Sequence, residues 1–370
     1  MKREYPSSLI SVPQIVALLE DRIEQLVGDI FPNARKDGHE MCIGSLAGEP
    51  GQSLRIHISS GSKRGWWRDF SSDEGGDALT LISKALFGGH LGNAVAYAKS
   101  WLGIDESDPA RLEQQRVEAR ARSVERDQAR DDEIAKARAR AVKRWHSAAR
   151  MTKGDPVFQY LAGRAIDWDA LGRFPGAARY HDSLHYGFGD DARILPAMVW
   201  MITNLAGEHI ATHRTWLGQD PDGRWRKAGA AELGTLANGK AKDNKKVMGV
   251  YQGGHIPIWK GEQSCPLRDI KPGTDVYAGE GSEDGLTAAS ADPSIRVIAM
   301  ISVGNLIHLQ LPPQMGRLLI LKQNDPAGSE AAKILARGVA HHRSQGRKVM
   351  FIETPDRVKD LNDLAQAGAA

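Results

Sequence analysis

The sequence predicts an α/β protein: a doubly wound parallel sheet over residues 273–370, preceded by two α+β segments joined through a long helix. Three observations carry this. Apolar runs expected as strands at 275–278, 296–302, 317–321 and 348–353 alternate with helical patterns at 283–291, 329–345 and 360–367, and alternation of that kind builds a parallel sheet. Two of the runs end alike. VYAGEGSEDGLTAA (276–289) and LLILKQNDPAGSEAA (318–332) are each a short apolar stretch closed by acids, a Gly-containing turn and an alanine-rich helix. Pro312, Pro313 and most glycines fall between elements.

Ahead of that sheet, residues 1–105 form a first unit. A helix is expected over 13–27, where Ile15, Leu18, Leu19, Ile23 and Leu26 recur at helical spacing, with strands at 41–44 and 54–58. GWWRDF (65–70) and DEGGD (73–77) lead into helices at 78–87 and 93–102. Residues 106–150 are a basic linker. The stretch 111–144 is rich in Arg, Ala, Glu and Gln and has neither Gly nor Pro, which predicts a long exposed helix. It reads either as a surface for a nucleic-acid backbone or as a solvated spacer. Residues 151–272 are α+β, with a short helix at 158–164 and apolar runs at 196–205 and 208–217 that form a hairpin. GKAKDNKK (239–246) reads as a loop carrying Lys240, Lys242, Lys245 and Lys246, either a solvated turn or a contact to template or nucleotide.

Composition narrows the classes. At 370 residues there is room for two or three domains, and 41% hydrophobic residues with a mean hydropathy of −0.41 describe a soluble globular chain. No run approaches the roughly 18 apolar residues of a membrane span, and MKREYPSSLI lacks a leader's apolar core, so the cytoplasm is the expected compartment, with no membrane partner. Two cysteines, Cys42 and Cys265, provide neither a disulfide framework nor a four-cysteine zinc site. A net charge of +3 does not by itself indicate nucleic acid. No GxxxxGK[ST] occurs, so no P-loop motor is expected. His341-His342 is expected at the surface of a long helix, and Cys265 beside Pro266 has no base partner.

The acids are the chemical signal. Glu280 follows a strand and precedes Gly281, so it projects from the sheet edge, and Asp284 lies one helical turn on. Asp325 closes the second acid-ended strand, and Asp360 opens KDLND (359–363). Carboxylates at the carboxyl edge of parallel strands, without thiol or imidazole among them, suit Mg²⁺ (or Mn²⁺) and a phosphate substrate. Singly, Asp325 reads as a helix N-cap and Asp284 as a surface acid. In the first unit Lys63, Arg64, Trp66, Trp67, Arg68 and Phe70 interleave base and aromatic, which suits stacking on single-stranded bases or, alternatively, a small core. One tryptophan is expected inside and the other outside.

The acid-ended strands resemble the Toprim domain shared by bacterial-type primases, topoisomerases and some nucleases. Gly75-Gly76-Asp77-Ala78-Leu79 resembles the zinc-binding module at the front of bacterial and phage primases, and PAMVWMITNLAGEHIATHRTWL (196–217) resembles the segment before Toprim in primase-like proteins of phages and mobile elements. The resemblance implies synthesis of a short RNA primer from ribonucleoside triphosphates on single-stranded DNA, beside a separate replicative helicase. It implies Glu280 as general acid or base, and Asp284, Asp325 and Asp360 as metal ligands. His213, Arg214 and the lysines at 240, 242, 245 and 246 would contact template or triphosphate. Two positions depart from the pattern. The module's Cys/His ligands are absent and Trp67-Arg68-Asp69-Phe70 stands where a cysteine pair would lie, so the expected module is zinc-free. The Toprim Asp-x-Asp falls on Gln323-Asn324-Asp325, and an amide oxygen ligates Mg²⁺ without bringing charge. A weakened or unusual enzyme, a non-catalytic relative that grips single-stranded DNA, and an engineered substitution all fit that glutamine. The front module argues against a Toprim nuclease.

Overall fold

The computed structural model describes residues 10–59, 61, 63–72, 74–104, 109–187, 189, 192–236 and 239–369. Most of the segment behind the leader expectation, and Asp73, lie outside the described residues. The chain divides into two compact units, residues 1–133 and 134–370.

The first unit opens with α1 (Val12–Asp21) and α2 (Ile23–Ile30). The single helix expected over 13–27 is thus two helices, because Arg22 leaves helical geometry at φ −108° and ψ 25°. The break turns both apolar faces, Ile15 and Leu19 from one and Ile23 and Leu26 from the other, onto one core. An antiparallel meander follows in the order β1 (Arg35–Asp37), β2 (Glu40–Ile43), β3 (Leu54–His57), β4 (Trp67–Asp69) and β5 (Glu74–Gly76). α3 (Ala78–Phe87) is capped by Asp77, whose carboxylate accepts the Thr80 N–H at 2.8 Å. α4 (Leu91–Trp101) comes next, then α5 (Pro109–His146), whose residues from Ile134 onward belong to the second unit.

Alternation along β4 separates the aromatics. Trp67 is 3% exposed and its Nε1–H donates to the Asp77 carbonyl at 3.1 Å, whereas Trp66 and Phe70 are 55% and 65% exposed. Trp66, Arg68 and Phe70 share the outer face, and the Arg68 guanidinium lies 5.6 Å from the Phe70 centroid. Lys63 is exposed beside them. Arg64, expected as a nucleic-acid contact, instead donates to the backbone carbonyls of Glu20, Ile58 and Asp21 and ties Ile58 to the end of α1. Trp67→Ala is therefore expected to lower the unit's stability by about 3 kcal/mol. Trp66→Ala should leave urea unfolding unchanged. Equal effects of the two would contradict this division.

The second unit contains β6 (Ala149–Arg150), α6 (Pro156–Gly163), α7 (Trp168–Leu171), β7 (Ala178–Tyr186), β8 (Arg193–Thr203), β9 (His209–Gln219), β10 (Trp225–Lys227), α8 (Ala230–Leu233) and β11 (Lys245–Gly249). These strands form an antiparallel sheet, β10-β9-β8-β7-β6, with β11 also on β9. Part of the expected lysine loop is therefore strand, since 245–249 pairs with 211–215. The last sheet uses β12 (Ile256–Trp259), β13 (Val276–Gly279), β14 (Arg296–Ala299), β15 (Arg317–Leu321) and β16 (Lys348–Ile352), with helices α9 (Ser282–Ala291), α10 (Glu330–Ser344) and α11 (Leu361–Ala369). Its order is β12-β14-β13-β15-β16, parallel except for β12 at the edge.

One face of the middle sheet (Met198, Trp200, Ala211, Leu217) shares a core with Ile256, Leu286 and Val297 of the last sheet. The other face packs Trp216, Val199 and Tyr186 against Trp145 at the end of α5. His342, expected at the surface, is fully buried, with Nε2 at 2.8 Å from the Leu306 carbonyl, because that side of α10 packs on the 303–308 turn.

His255 is 2% exposed and its backbone exchanges both hydrogen bonds with Thr203. Burial, aided by Arg296, pushes its imidazole down to about 3 from an ordinary 6.5. Below pH 6.5 the unfolded chain takes up this proton and the native chain does not. Stability from this residue is therefore present above that pH and drains as pH falls, by about 1.4 kcal/mol per unit. His255→Gln should flatten stability against pH between 6 and 4 by about one proton. An unchanged slope would contradict the assignment.

Candidate active site

The sheet order puts β13 between β14 and β15, so chain direction across the sheet reverses beside β13. Ligands of open α/β sheets bind at such a switch point, beyond the carboxyl ends of the strands. Glu280 follows β13 there, and Gln323, Asn324 and Asp325 follow β15. A cleft of about 330 Å³ opens at this edge, with Glu280, Glu283, Asp284, Gln323 and Asp360 on one side and His213, Lys227 and Lys245 on the facing sheet. Arg164 and Lys359 also line it.

The acids are crowded. Burial, with Asp325 second, raises the Glu280 carboxyl above its ordinary range, although it accepts the Val303 N–H. Burial and then Asp360 push Asp284 up to about 6. Asp284 accepts the Asn362 N–H at 3.1 Å and, from the Gln323 amide, a long 3.4 Å contact. Asn362 is fully buried, its Nδ2 donating to the Arg164 carbonyl and to Thr287 Oγ1, so it fixes where Asp284 points. Asp360 accepts the Asp363 N–H at 2.8 Å at the start of α11. Asp325 does not line the cleft and acts on Glu280 through its charge. The Asn324 amide donates to Thr354, Pro355 and Val358 and its N–H to the Lys359 carbonyl, which locks the loop after β15 to the one carrying Asp360.

Ile301 lines the same cleft with φ 77°. A β-branched residue in the left-handed region is strained, and such strain gathers at functional sites. Its N–H donates to the Glu280 carbonyl, so the strained turn is tied to the acid's own backbone.

The basic wall was only partly legible. Lys227 pairs across the sheet with Leu217, and Lys245 with Thr215, which places both on the His213 face of β9. Glu283 binds that wall to the acids. It is 6% exposed, lies 2.7 Å from Lys227 Nζ and accepts the Tyr160 hydroxyl at 2.8 Å. Burial would raise its carboxyl, but Lys227 and Lys245 outweigh this and hold it far below the usual range. Burial lowers Lys245, with Glu283 opposing and Lys227 adding to the effect. His213 is 8% exposed, pushed down to about 4 mainly by burial, and its buried Nδ1 has no partner.

Arg214 and Lys246 are not in the cleft. Strand alternation sends them to the opposite face of the sheet from His213 and Lys245. Lys240 and Lys242 also lie outside its lining. Glu283, Lys227, Arg164, Tyr160 and Asn362 were missed in the sequence. The one available signal was Glu283 beside Asp284 at the start of a helix.

The donors facing the cleft from the acid side are carboxylate and amide oxygens, which suit a hard divalent ion, and carboxyls raised by burial and then by a neighbouring acid are what such an ion relieves. Among the described residues no three His, Cys, Asp or Glu side chains group closely enough to hold a metal alone. The fit is therefore to a Mg²⁺-like ion held by one or two carboxylates and completed by substrate phosphate oxygens.

Residues 275–370 match the family model of the Toprim domain, and residues 135–258 match DUF7146, a domain of unknown function. No curated protein matches the chain. Among solved structures, the Aquifex aeolicus primase (zinc-binding and RNA polymerase domains) aligns at 14% identity over 97% of this chain and 84% of that one, TM-score 0.39. The primase fragment of the bacteriophage T7 primase-helicase aligns at 14% identity over 60% and 75%, TM-score 0.34. The RNA polymerase domain of the Mycobacterium tuberculosis primase, in complex with double-stranded DNA, aligns at 15% identity over 64% and 78%, TM-score 0.35. These superpositions are loose. Among the described residues no helix is long and apolar enough to cross a membrane.

Proposed function

We propose that this chain, whose residues 275–370 form a Toprim domain, is a primase-like nucleotidyltransferase that joins ribonucleoside triphosphates into a short RNA primer on single-stranded DNA. One observation supports this most: a wall of crowded acids faces a wall of lysines across a single cleft at the switch point of the parallel sheet. Phosphoryl transfer disperses negative charge over several oxygens, and opposed cationic and acidic walls are suited to hold a triphosphate and its cation.

The roles follow from position. Glu280 takes the proton from the 3′-hydroxyl as its oxygen bonds the α-phosphorus and pyrophosphate leaves, the raised carboxyl being nearer the operating pH. Asp284 and Asp360, which line the cleft, would hold Mg²⁺ (or Mn²⁺), with Asp325 acting through its charge on Glu280. Bound there, the ion would neutralise charge on the transferred phosphate. Lys227, Lys245, Arg164 and Lys359 would pair with the triphosphate, and neutral His213 would line the nucleotide's side of the cleft. Trp66, Arg68 and Phe70, with Lys63 beside them, would carry template bases and phosphates, stacking worth about 1–3 kcal/mol per base. A separate replicative helicase in the cytoplasm would be the partner. The test is incorporation of labelled ribonucleotide on single-stranded DNA with Mg²⁺ and with Mn²⁺. Primers of defined length are expected, and nucleolytic products instead of primers would overturn the reading.

Gln323 favours a second reading, a non-catalytic protein that binds single-stranded DNA. Its amide meets Asp284 where a charged acid would strengthen metal binding. No incorporation with either ion, together with tight single-strand binding, is the outcome that selects it.

A further inference from the structure

The middle sheet carries a second set of cations on the face turned away from the cleft. Registers align Arg179 with Val199, Val199 with Arg214, and Arg214 with Lys246, a single row across β7, β8, β9 and β11. Cross-strand partners share a face, and Trp216, two residues from Arg214, packs with Trp145 of α5 on this side. Arg144, on the same helix, acts on Arg214 through its charge.

Each cation is held apart by its own ring. The Arg179 guanidinium lies 3.7 Å from the Trp145 centroid, Arg214 5.0 Å from Trp216, and Lys246 3.8 Å from Tyr186. Among the described residues none of Arg144, Arg179, Arg214 and Lys246 has a carboxylate within ion-pair distance, and the Nε atoms of the three arginines are buried without a partner. Like charges directly opposite on paired strands are unfavourable. Arg214 and Lys246 stand so, with Asp243 the acid that acts on Lys246.

We infer that this row is a second nucleic-acid site, which grips the sugar–phosphate backbone of a strand on the face opposite the cleft. Arg179 and Lys246 are three strand spacings apart, about 14 Å, so one small anion cannot meet them all, whereas a chain of phosphates can. The rings beneath the cations are buried, with Trp216 0% exposed, so no face is free for base stacking. The grip is electrostatic and indifferent to sequence. Burial first, and Arg144 second, lower the Arg214 guanidinium to about 10. The inference is independent of the chemistry in the cleft.

The test is fluorescence anisotropy of a labelled oligothymidylate on the full chain across a salt series, beside Mg²⁺-ATP binding as the cleft readout. Arg179→Gln with Arg214→Gln should weaken oligonucleotide binding about tenfold at low salt and flatten the salt slope by about 1.4, roughly 0.7 per lost phosphate contact. ATP binding should stay as in wild type. Arg214→Lys, which keeps the charge, should retain most affinity. Exposed Lys246→Gln should flatten the slope by about 0.7 even if the arginine pair proves structural. Unchanged slopes in both the double variant and Lys246→Gln would overturn the inference, as would loss of binding to inorganic tripolyphosphate with oligonucleotide binding intact. A chain that never binds ATP would count against the cleft reading and leave this measurement fully informative.

Discussion

Glu283→Ala should destabilise the 134–370 unit by about 3–5 kcal/mol, the cost of breaking a buried ion pair from one side. The residue is 6% exposed and is the acid that joins Lys227, Tyr160 and, through charge, Lys245. Its removal leaves the Lys227 and Lys245 ammonium groups without their shared acid and a buried tyrosine hydroxyl without its acceptor. Glu283→Gln keeps the shape and part of the hydrogen bonding, so its loss should be smaller. Because the folded carboxyl is held below its unfolded value, the pair's contribution is complete above about pH 4.5 and is lost as pH falls towards the folded value. Urea unfolding of the full chain at pH 7 reads the effect. The transition of the second unit should move while that of the first, residues 1–133, stays. An unmoved second transition would show that Glu283 does not organise the basic wall.

Glu280→Gln should cut nucleotide transfer by about 10²–10⁴-fold, the range expected for a lost general base. Of the other acids after β13 that line the cleft, Glu283 is tied to Lys227 and Tyr160 and Asp284 accepts from Asn362 and Gln323. The pH dependence has a definite sign. Burial and Asp325 raise the Glu280 carboxyl, so activity should climb with pH through that raised value, and Asp325→Asn should carry the rising limb to lower pH. Gln323→Asp acts on the metal instead. It replaces a 3.4 Å amide contact to Asp284 with a second carboxylate, which should tighten Mg²⁺ binding in calorimetry and raise any transfer activity. If wild type polymerises strongly and Gln323→Asp changes neither quantity, residue 323 lies outside the ion's shell.

The parts of this architecture visible in the sequence are those set by local pattern. Glu280 and Asp284 could be placed because an apolar run, a glycine and an alanine-rich helix fix both within a few residues, and α3 because Asp77 caps a periodic run. Lys227, Arg164 and Tyr160 could not, since each reaches the acids only through pairing or packing between distant segments, Tyr160 meeting Glu283 across 123 residues. The division of His213 from Arg214, and of Lys245 from Lys246, was legible in principle. Once 208–217 is taken as a strand, neighbours must face opposite ways. Reading 239–246 as a loop concealed the same rule. The break at Arg22 has neither Pro nor Gly to announce it, and the burial of His342 depends on a turn that arrives from 303–308.

The most direct measurement of the central claim is calorimetric titration of ATP into the full chain with Mg²⁺ and with EDTA, repeated for Asp284→Asn and Lys227→Gln. If the acidic wall holds a cation that the triphosphate completes, and the lysine wall holds the triphosphate itself, wild type binds ATP with Mg²⁺ and loses it in EDTA. Asp284→Asn then binds weakly in both conditions, and Lys227→Gln weakens binding while keeping its dependence on the ion. ATP bound as tightly in EDTA as in Mg²⁺, or affinity unaltered by both substitutions, would contradict a metal-assisted triphosphate site in this cleft.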